Sequence, residues 1–469
     1  MLKKFIYNIL IISCLTMFFQ NNLLSKDKQN GTITPEIIKN IKANFKDSKT
    51  NKALQNVISG NDINKLALNR NSLNNFNAFF KYKVKVSGIT NQKKSGRCWM
   101  FTGLNVLRPI VIDKLNLKNF EFSTNYLFFW DQFEKANLFL ETIIKTRKKA
   151  TNDRTVEWLF KHPIGDGGVW NLLVDIVNKY GLVPKGVMTE TYQSEKTGFI
   201  SRLIRRKLRE DGLVLRAKKN LSYKKLQEIK ITMLADIYKM LVFSLGEPPV
   251  KFDWRYEDKK GKISPIETYT PKSFYKKMVG INLESYVLFM DDPTRPYNEL
   301  YEIEYDRNLN EGHNWKFINL PAKKIKIYAE KSIIANEAMY FSCDVGKQLN
   351  KNLGLLSIDN YDYESLFAVT FGMDKKARIQ TFESGSTHGM ALVGVDVNKK
   401  GKITKWLLEN SWGAKKGHKG YLIMTDKWFD EYMFRLVVNK KFVTQDILKI
   451  LKRTPKKLPP WDPLFTPDI

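Results

Sequence analysis

The spacing of hydrophobic and polar residues changes along the chain, and each spacing predicts a different element. Residues 81–88, KYKVKVSG, alternate polar and apolar side chains, as a half-buried strand does. From Cys98 to Ile110, apolar residues recur at helical spacing, which places Cys98 at the N-terminus of a helix. Residues 125–145 have the pattern of a long amphipathic helix. Residues 26–75 are polar, rich in Asn and Lys, and predict a helical or partly ordered lead-in.

Beyond residue 160, polar connections alternate with short apolar runs. Residues 162–170, HPIGDGGVW, form a glycine-rich loop, and a helix that ends at Gly181 follows it. Residues 189–240 are predicted to be helical and strongly basic. From Thr387 onward, β-rich runs such as GMALVGVDVN and GYLIMTD are separated by Gly and Lys turns. Three further predictions concern the end of the chain: helices over residues 427–432 and 444–452, and an irregular Pro-rich tail over residues 456–469.

The three cysteines of the chain, Cys14, Cys98 and Cys343, are too few for a disulfide framework. Cys98 differs from the others because it begins a predicted helix. The positive end of a helix favours a thiolate, which is the reactive form of cysteine. Cys343 lies in the apolar run YFSC and is interpreted as a buried small hydrophobe. Cys98 is therefore the candidate nucleophile.

A catalytic thiol needs a histidine partner, and the chain has four histidines. His388 opens a predicted strand, and a rigid strand holds a side chain to the small tolerance that catalysis needs. Asn410, in LLENSWG, follows in the next strand, where it would orient the His388 ring, and Trp412 would cover their hydrogen bond. Gln92 precedes Cys98 by six residues and would join the Cys98 backbone N–H in an oxyanion hole.

The order of these motifs resembles that of the papain superfamily, and within it the bleomycin hydrolase / aminopeptidase C family. The motifs that carry the likeness are NQKKSGRCWMF, NYLFFWD, DGGVW, PPVKFDWRY, FSCDVGK, THGMALVGV, ENSWG, HKGYLIMTDKWF and LPPWDP. The resemblance implies a thiol-dependent aminopeptidase that acts on peptides and uses no metal or cofactor. It implies an α+β fold of the papain type, with a helical lobe that carries Cys98 and a β-barrel-like lobe that carries His388 and Asn410.

The resemblance also implies roles for residues outside the catalytic group. Gly167 and Gly168 match the segment whose backbone lines the substrate cleft. Residues 189–330 match a helical and hook insertion that assembles a homohexamer. Residues 455–469 match a C-terminal arm that lies in the cleft, where the terminal carboxylate receives the amine of the substrate. Because this tail ends in LFTPDI rather than in small residues, either Asp468 or the carboxylate of Ile469 meets that amine.

The N-terminus and the net charge leave alternatives open. Residues 1–25 combine two lysines with an apolar run too short for a comfortable membrane span, which favours an export signal over an uncleaved anchor. Residues 26–469 would then be the exported peptidase, periplasmic or extracellular rather than cytoplasmic. The net charge of +30 and the stretch RLIRRKLRE, residues 202–210, motivate a second hypothesis, a nucleic-acid-binding assembly with weak peptidase activity. For that stretch we favour a solvated helix face.

Overall fold

The computed structural model describes residues 31–45, 48–73 and 77–464. The predicted signal segment, Cys14 and Ile469 lie outside these ranges. The chain divides into two compact units, residues 1–68 and 69–469. In the first unit, the helices are α1 (Pro35–Asn44), α2 (Lys49–Ser59) and α3 (Ile63–Ala67). Each begins after a polar residue whose side chain accepts a hydrogen bond from the backbone of the first turn, so the predicted helical lead-in is confirmed within the described residues.

The second unit contains the remaining described helices. They are α4 (Arg70–Leu73), α5 (Cys98–Lys114), α6 (Thr124–Thr146), α7 (Arg154–Lys161), α8 (Trp170–Tyr180), α9 (Tyr192–Glu195), α10 (Gly198–Ala217), α11 (Tyr223–Leu245), α12 (Pro271–Met278), α13 (Ala322–Ile334), α14 (Tyr363–Phe367), α15 (Lys375–Gln380), α16 (Asp426–Tyr432) and α17 (Gln445–Leu448). Short 3-10 turns lie at Leu283–Ser285, Lys440–Phe442 and Lys449–Lys452. Among the described residues, no helix is both long enough and apolar enough to span a bilayer.

The strands of this unit form one large mixed sheet and a separate hairpin. They are β1 (Tyr82–Lys83), β2 (Phe252–Trp254), β3 (Glu267–Tyr269), β4 (Tyr286–Met290), β5 (Glu299–Ile303), β6 (Lys316–Asn319), β7 (Met339–Cys343), β8 (Leu349–Asn350), β9 (Leu355–Leu356), β10 (His388–Val397), β11 (Ile403–Glu409), β12 (Tyr421–Thr425), β13 (Met433–Asn439) and β14 (Lys456–Leu458). The large sheet runs β14-β5-β6-β4-β13-β7-β10-β11-β12-β9-β8, with β1 beside β10, whereas β2 and β3 pair only with each other.

Helices α5 and α6 are buried on nearly every side within the fold. Met100, Leu107 and Val111 of α5 are completely buried, as are Leu127 and Leu140 of α6. The two helices pack on each other, and α5 also packs on strand β10. The start of α5 lies against the start of β10, since a Cβ atom on Gly389 would lie 3.5 Å from the Cα atom of Trp99.

Most predicted elements are confirmed with small changes at their ends. The helix at Cys98, the long helix α6 and the helix that ends at Gly181 are present. The predicted strand over residues 81–88 is regular only at β1. The prediction of an irregular tail is wrong at its first residues, because β14 pairs in parallel with β5 before the prolines begin. An edge strand tolerates this position, since only one of its sides needs ladder hydrogen bonds.

Candidate active site

Cys98 is the first residue of the 17-residue helix α5 and is half-buried. It lines a cavity of about 600 Å³ together with Gln92, Gly168 and His388. The other described cysteine, Cys343, is fully buried in strand β7, and burial raises the pKa of its thiol well above the usual range. Neither of these cysteines is in a disulfide. Of the two described cysteines, Cys98 alone combines a helix N-terminus with access to a cavity.

The His388 ring is oriented by Asn410, as the sequence predicts. Strands β10 and β11 are adjacent and antiparallel, and this pairing brings Asn410 back beside the start of β10. His388 Nε2 and Asn410 Oδ1 lie 2.9 Å apart. The backbone N–H of Ser411 also donates to Asn410 Oδ1, at 2.8 Å, so this atom must be the amide oxygen. Nε2 of His388 therefore carries the proton in this bond, which leaves Nδ1 as the free base.

The His388–Asn410 bond is enclosed. His388 is 7% exposed and Asn410 is 2% exposed. The Trp412 ring lies over the imidazole, with 4.9 Å between ring centroids. Burial lowers the pKa of His388 to about 4, and the hydrogen bond to Asn410 only partly opposes this shift. The imidazole is therefore neutral and able to accept a proton at ordinary pH.

Gln92 is held by the segment that also carries Asn410. Its backbone N–H donates to the Ser411 carbonyl at 2.8 Å, and its side-chain oxygen accepts from the Ser411 hydroxyl at 2.6 Å. One hydrogen of Gln92 Nε2 is donated to the Ser95 carbonyl at 2.8 Å. An amide nitrogen has two hydrogens, so the second remains for a ligand in the cavity that Gln92 lines. The network fixes this donor beside Cys98.

The glycine-rich loop also lines this cavity. A Cβ atom on Gly168 would lie 2.7 Å from the Trp99 ring, so only glycine allows this approach. The Trp99 indole N–H donates to the Asp166 carbonyl at 2.7 Å. Lys135 of α6 donates to the carbonyl of Gly167 at 2.8 Å and pairs with the buried Asp131 at 2.7 Å. Both predicted glycines, Gly167 and Gly168, therefore lie on the cavity wall.

A buried ion pair joins the two elements that carry the site. Arg108 of α5 contacts Glu409 of β11 at 2.5 Å, and both side chains are almost completely buried. Arg108 also donates to the Gly88 carbonyl at 3.0 Å. Glu409 is adjacent to Asn410 in the chain. The pair thus connects the helix that begins at Cys98 with the strand that ends next to Asn410.

The structure therefore brings together Gln92, Cys98, Gly167, Gly168 and His388 at one cavity, with Asn410 and Trp412 behind the imidazole. Ile469, predicted to bind substrate, lies outside the described residues. The sequence analysis did not identify three charged residues whose hydrogen bonds and ion pairs hold the elements of the site in place: Lys135, Arg108 and Glu409. A charged residue within an apolar helical run is the signal that would have found Lys135 and Arg108, because such residues are buried only when paired. Within residues 31–45, 48–73 and 77–464, no cluster of potential metal ligands is present.

The fold and this arrangement define a class of protein, the papain-like cysteine peptidases. The chain belongs to the Peptidase C1-like family, whose model matches residues 32–465. It is 37% identical to aminopeptidase C of Listeria monocytogenes, over 92% of this chain and 98% of that protein. It is 40% identical to human bleomycin hydrolase, over 87% of this chain and 93% of that protein. A crystal structure of PepW from Lactobacillus rhamnosis HN001 superposes with a TM-score of 0.90 at 38% identity, covering 93% of this chain and 99% of that one.

Proposed function

We propose that this chain is a thiol-dependent aminopeptidase that hydrolyses N-terminal residues from peptides. The observation that carries the proposal is the buried His388–Asn410 bond at the cavity that Cys98 and Gln92 also line. The names of the relatives, aminopeptidase C and bleomycin hydrolase, support the same activity. No step of this chemistry requires a cofactor.

Each residue has a defined role in the proposed reaction. His388 Nδ1 takes the proton of Cys98, and the sulfur attacks the first peptide carbonyl. The Gln92 amide and the Cys98 backbone N–H bind the developing oxyanion. His388 then gives its proton to the leaving amine, and a thioester remains on Cys98. Water, deprotonated by His388, hydrolyses that thioester and releases the N-terminal residue and the free thiol.

Cys98→Ala tests this assignment. Peptides with a free and with an acetylated N-terminus, each carrying a fluorogenic leaving group, are offered to the wild type and the variant. We expect the variant to lose release of the N-terminal residue by about 10³-fold or more, because the nucleophile is gone. Cys343→Ala is the matched control, since it removes a thiol that lies outside the cavity. Retained turnover by Cys98→Ala would refute the role of Cys98.

We further propose that the C-terminal arm, residues 455–469, enters the cleft and that its end receives the substrate amine. Leu464, the last described residue, lines the cavity that contains Cys98. Its carbonyl accepts a hydrogen bond from Arg435 at 3.2 Å, and Asp462 pairs with Arg295. These contacts support a chain end that is directed into the cleft, where either Asp468 or the Ile469 carboxylate would meet an ammonium group.

A homohexamer is proposed from the family resemblance. Helices α10 and α11, in the predicted insertion, carry large apolar side chains that are exposed in the single chain: Phe199, Leu203, Leu213, Ile231 and Phe243. Apolar surface of this kind supports an interface with other copies. Light scattering should give a particle six times the mass of the chain, and a monomer over the whole concentration range would contradict the proposal.

The nucleic-acid hypothesis has less support. Neither the family nor its named relatives supports it. In the stretch 202–210, Arg209 donates to the Phe160 carbonyl at 2.8 Å, and Lys207 pairs with Glu210 and Asp211 at 3.0 Å. These contacts favour a structural role for the basic helix. Binding of DNA that weakens steeply between low and high salt would revive the hypothesis, whereas no binding at low salt would end it.

We also propose that the protein is exported and that residues 1–25 are removed, or retained as a membrane anchor. The proposal rests on the two lysines and the apolar run at the N-terminus. Cell fractionation combined with N-terminal sequencing of the mature protein tests it. A cytoplasmic protein that keeps Met1 would contradict it.

A further inference from the structure

Several charged or polar side chains on the wall of the catalytic cavity have no part in the reaction described above. Asp306, Tyr340 and Arg435 are among them. Asp306 also lines a smaller neighbouring cavity of about 140 Å³, and Gly167 is common to both. The walls of the smaller cavity are largely apolar and include Leu138, Phe139 and Leu172. Asp306 therefore stands where the cleft meets a side cavity.

The main chain holds Asp306 firmly in this position. Its carbonyl accepts hydrogen bonds from the Trp315 N–H at 3.0 Å and from the Asn171 side chain at 3.1 Å. Its own N–H donates to the Ile303 carbonyl at 3.4 Å. The carboxylate is thus presented to the cavity by a fixed loop.

The carboxylate itself has no donor. Across residues 77–464, no group hydrogen-bonds to it and no cation lies within ion-pair distance. The two cations whose charges act on this carboxylate, Arg435 and Lys135, have other partners. Arg435 donates to the Leu464 carbonyl and lies 4.3 Å from the centroid of the Trp315 ring. Lys135 pairs with Asp131 at 2.7 Å.

A second carboxylate on the same cavity differs from Asp306 in this respect. Asp166 accepts a hydrogen bond from the Ser201 hydroxyl at 2.6 Å and another from the Gly96 N–H.

Burial raises the pKa of Asp306 to about 6, although the charges of Arg435 and Lys135 oppose the shift. A carboxylate that is partly removed from water without donors is costly to the fold, and a ligand that supplies donors would reduce that cost.

We propose that Asp306 binds an ammonium group of the peptide substrate in the cleft and thereby sets substrate preference. An ammonium group supplies a charge and up to three N–H donors, which are what this carboxylate lacks. In a peptide the group is either the end of a lysine side chain, whose methylenes would pack in the largely apolar side cavity, or, where the C-terminal arm does not receive it, the α-amine. This inference rests on the proposed aminopeptidase function.

The test compares the wild type with Asp306→Asn on peptides that have a free N-terminus and begin with Lys or with norleucine. N-acetylated Lys peptide is added as a competitor, and its inhibition constant is measured. If Asp306 binds the α-amine, KM rises about tenfold for both free peptides and the competitor is unaffected. If it binds the side chain, KM rises only for the Lys peptide and the inhibition constant of the competitor rises with it. In both cases kcat changes less than about twofold.

Two further variants serve as controls for the comparison of Asp306→Asn with the wild type. Glu304→Gln removes a charge two residues away, where the side chain is 44% exposed and contacts Lys457, so its constants should match the wild type. Asp306→Leu removes both the charge and the hydrogen-bonding atoms, and it should fold at least as well, because a partly buried carboxylate without donors is lost. It should show the same rise in KM as Asp306→Asn.

The inference is overturned if KM and the inhibition constant stay unchanged in both Asp306 variants, or if kcat falls equally for all peptides with KM unchanged. Failure of the proposed function would look different, because the wild type would then hydrolyse none of the peptides. In that event, calorimetric binding of the Lys and norleucine peptides to the wild type and to Asp306→Asn still decides whether Asp306 binds ammonium.

Discussion

Burial of the His388 imidazole sets the pH range in which it acts as a base. A free imidazole has a pKa of 6.5, whereas burial lowers that of His388 to about 4. Above pH 4 the ring is neutral, and it accepts the Cys98 proton; below that pH the ring is protonated and cannot. The acid limb of kcat/KM is therefore expected to have its midpoint near pH 4, which a series of rates between pH 3.5 and 7 measures. A midpoint at 6.5 would contradict this account.

Substitution of Trp412 tests whether burial lowers the pKa of His388. Its ring lies 4.9 Å from that of His388 and keeps water from one face. In Trp412→Ala, water reaches the imidazole, its charged form becomes less costly, and the acid midpoint should rise by about one pH unit. Circular dichroism over the same pH range separates this effect from acid unfolding.

The Arg108–Glu409 pair acts between elements, because it joins helix α5 to strand β11. Burial raises the pKa of Glu409 to about 7 even with Arg108 in place. Removing the cation in Arg108→Met leaves a buried acid without its partner, which should cost about 3–5 kcal/mol of the free energy of unfolding. The double variant Arg108→Met/Glu409→Leu should recover most of that loss, since neither charge remains.

Urea unfolding measures Arg108→Met, the single variant Glu409→Leu and the double variant, and kcat/KM of the double variant is the second readout. If the pair also positions the site, kcat/KM of the double variant stays below that of the wild type even when stability has returned. A double variant as unstable as the sum of the two single changes would show that the two side chains do not interact.

The sequence predicts the helices and strands that carry the catalytic residues better than it predicts the other charged residues around the cavity. Cys98, His388 and Asn410 could be found because each lies in a motif and each sits at the end of a regular element. Asp306 could not be found, since it lies in the polar stretch EYDRNLNEG, where nothing marks one carboxylate as facing a cavity. Asp306 stands out because its carboxylate accepts no hydrogen bond from the described residues, and this can be seen only in the folded structure.

The sheet as a whole shows the same limit. Strand β13, near the end of the chain, lies between β7 and β4, and β14 pairs with β5. Strands β4, β5 and β6 come from the predicted insertion, yet they belong to the same sheet as β10 and β11. Local periodicity indicates that a segment is extended, but it does not identify a partner about 150 residues away, because pairing depends on register and on burial against helices.

The C-terminal tail runs from the large sheet to the catalytic cavity. Strand β14 is anchored on β5, and Leu464, which immediately precedes residues 465–469, lies on the cavity wall. Deleting them removes the chain end that would block longer substrates, so cleavage should shift from the first peptide bond toward internal bonds. Mass spectrometry of the products from one unblocked decapeptide measures that shift. Asp468→Asn, which keeps the terminal carboxylate of Ile469, distinguishes the two candidate anions: it should behave as the wild type if the terminus receives the amine, and as the deletion if Asp468 does. An unchanged cleavage position after deletion would mean that this arm does not measure the substrate, and selection for the N-terminus would then have to come from the cavity wall.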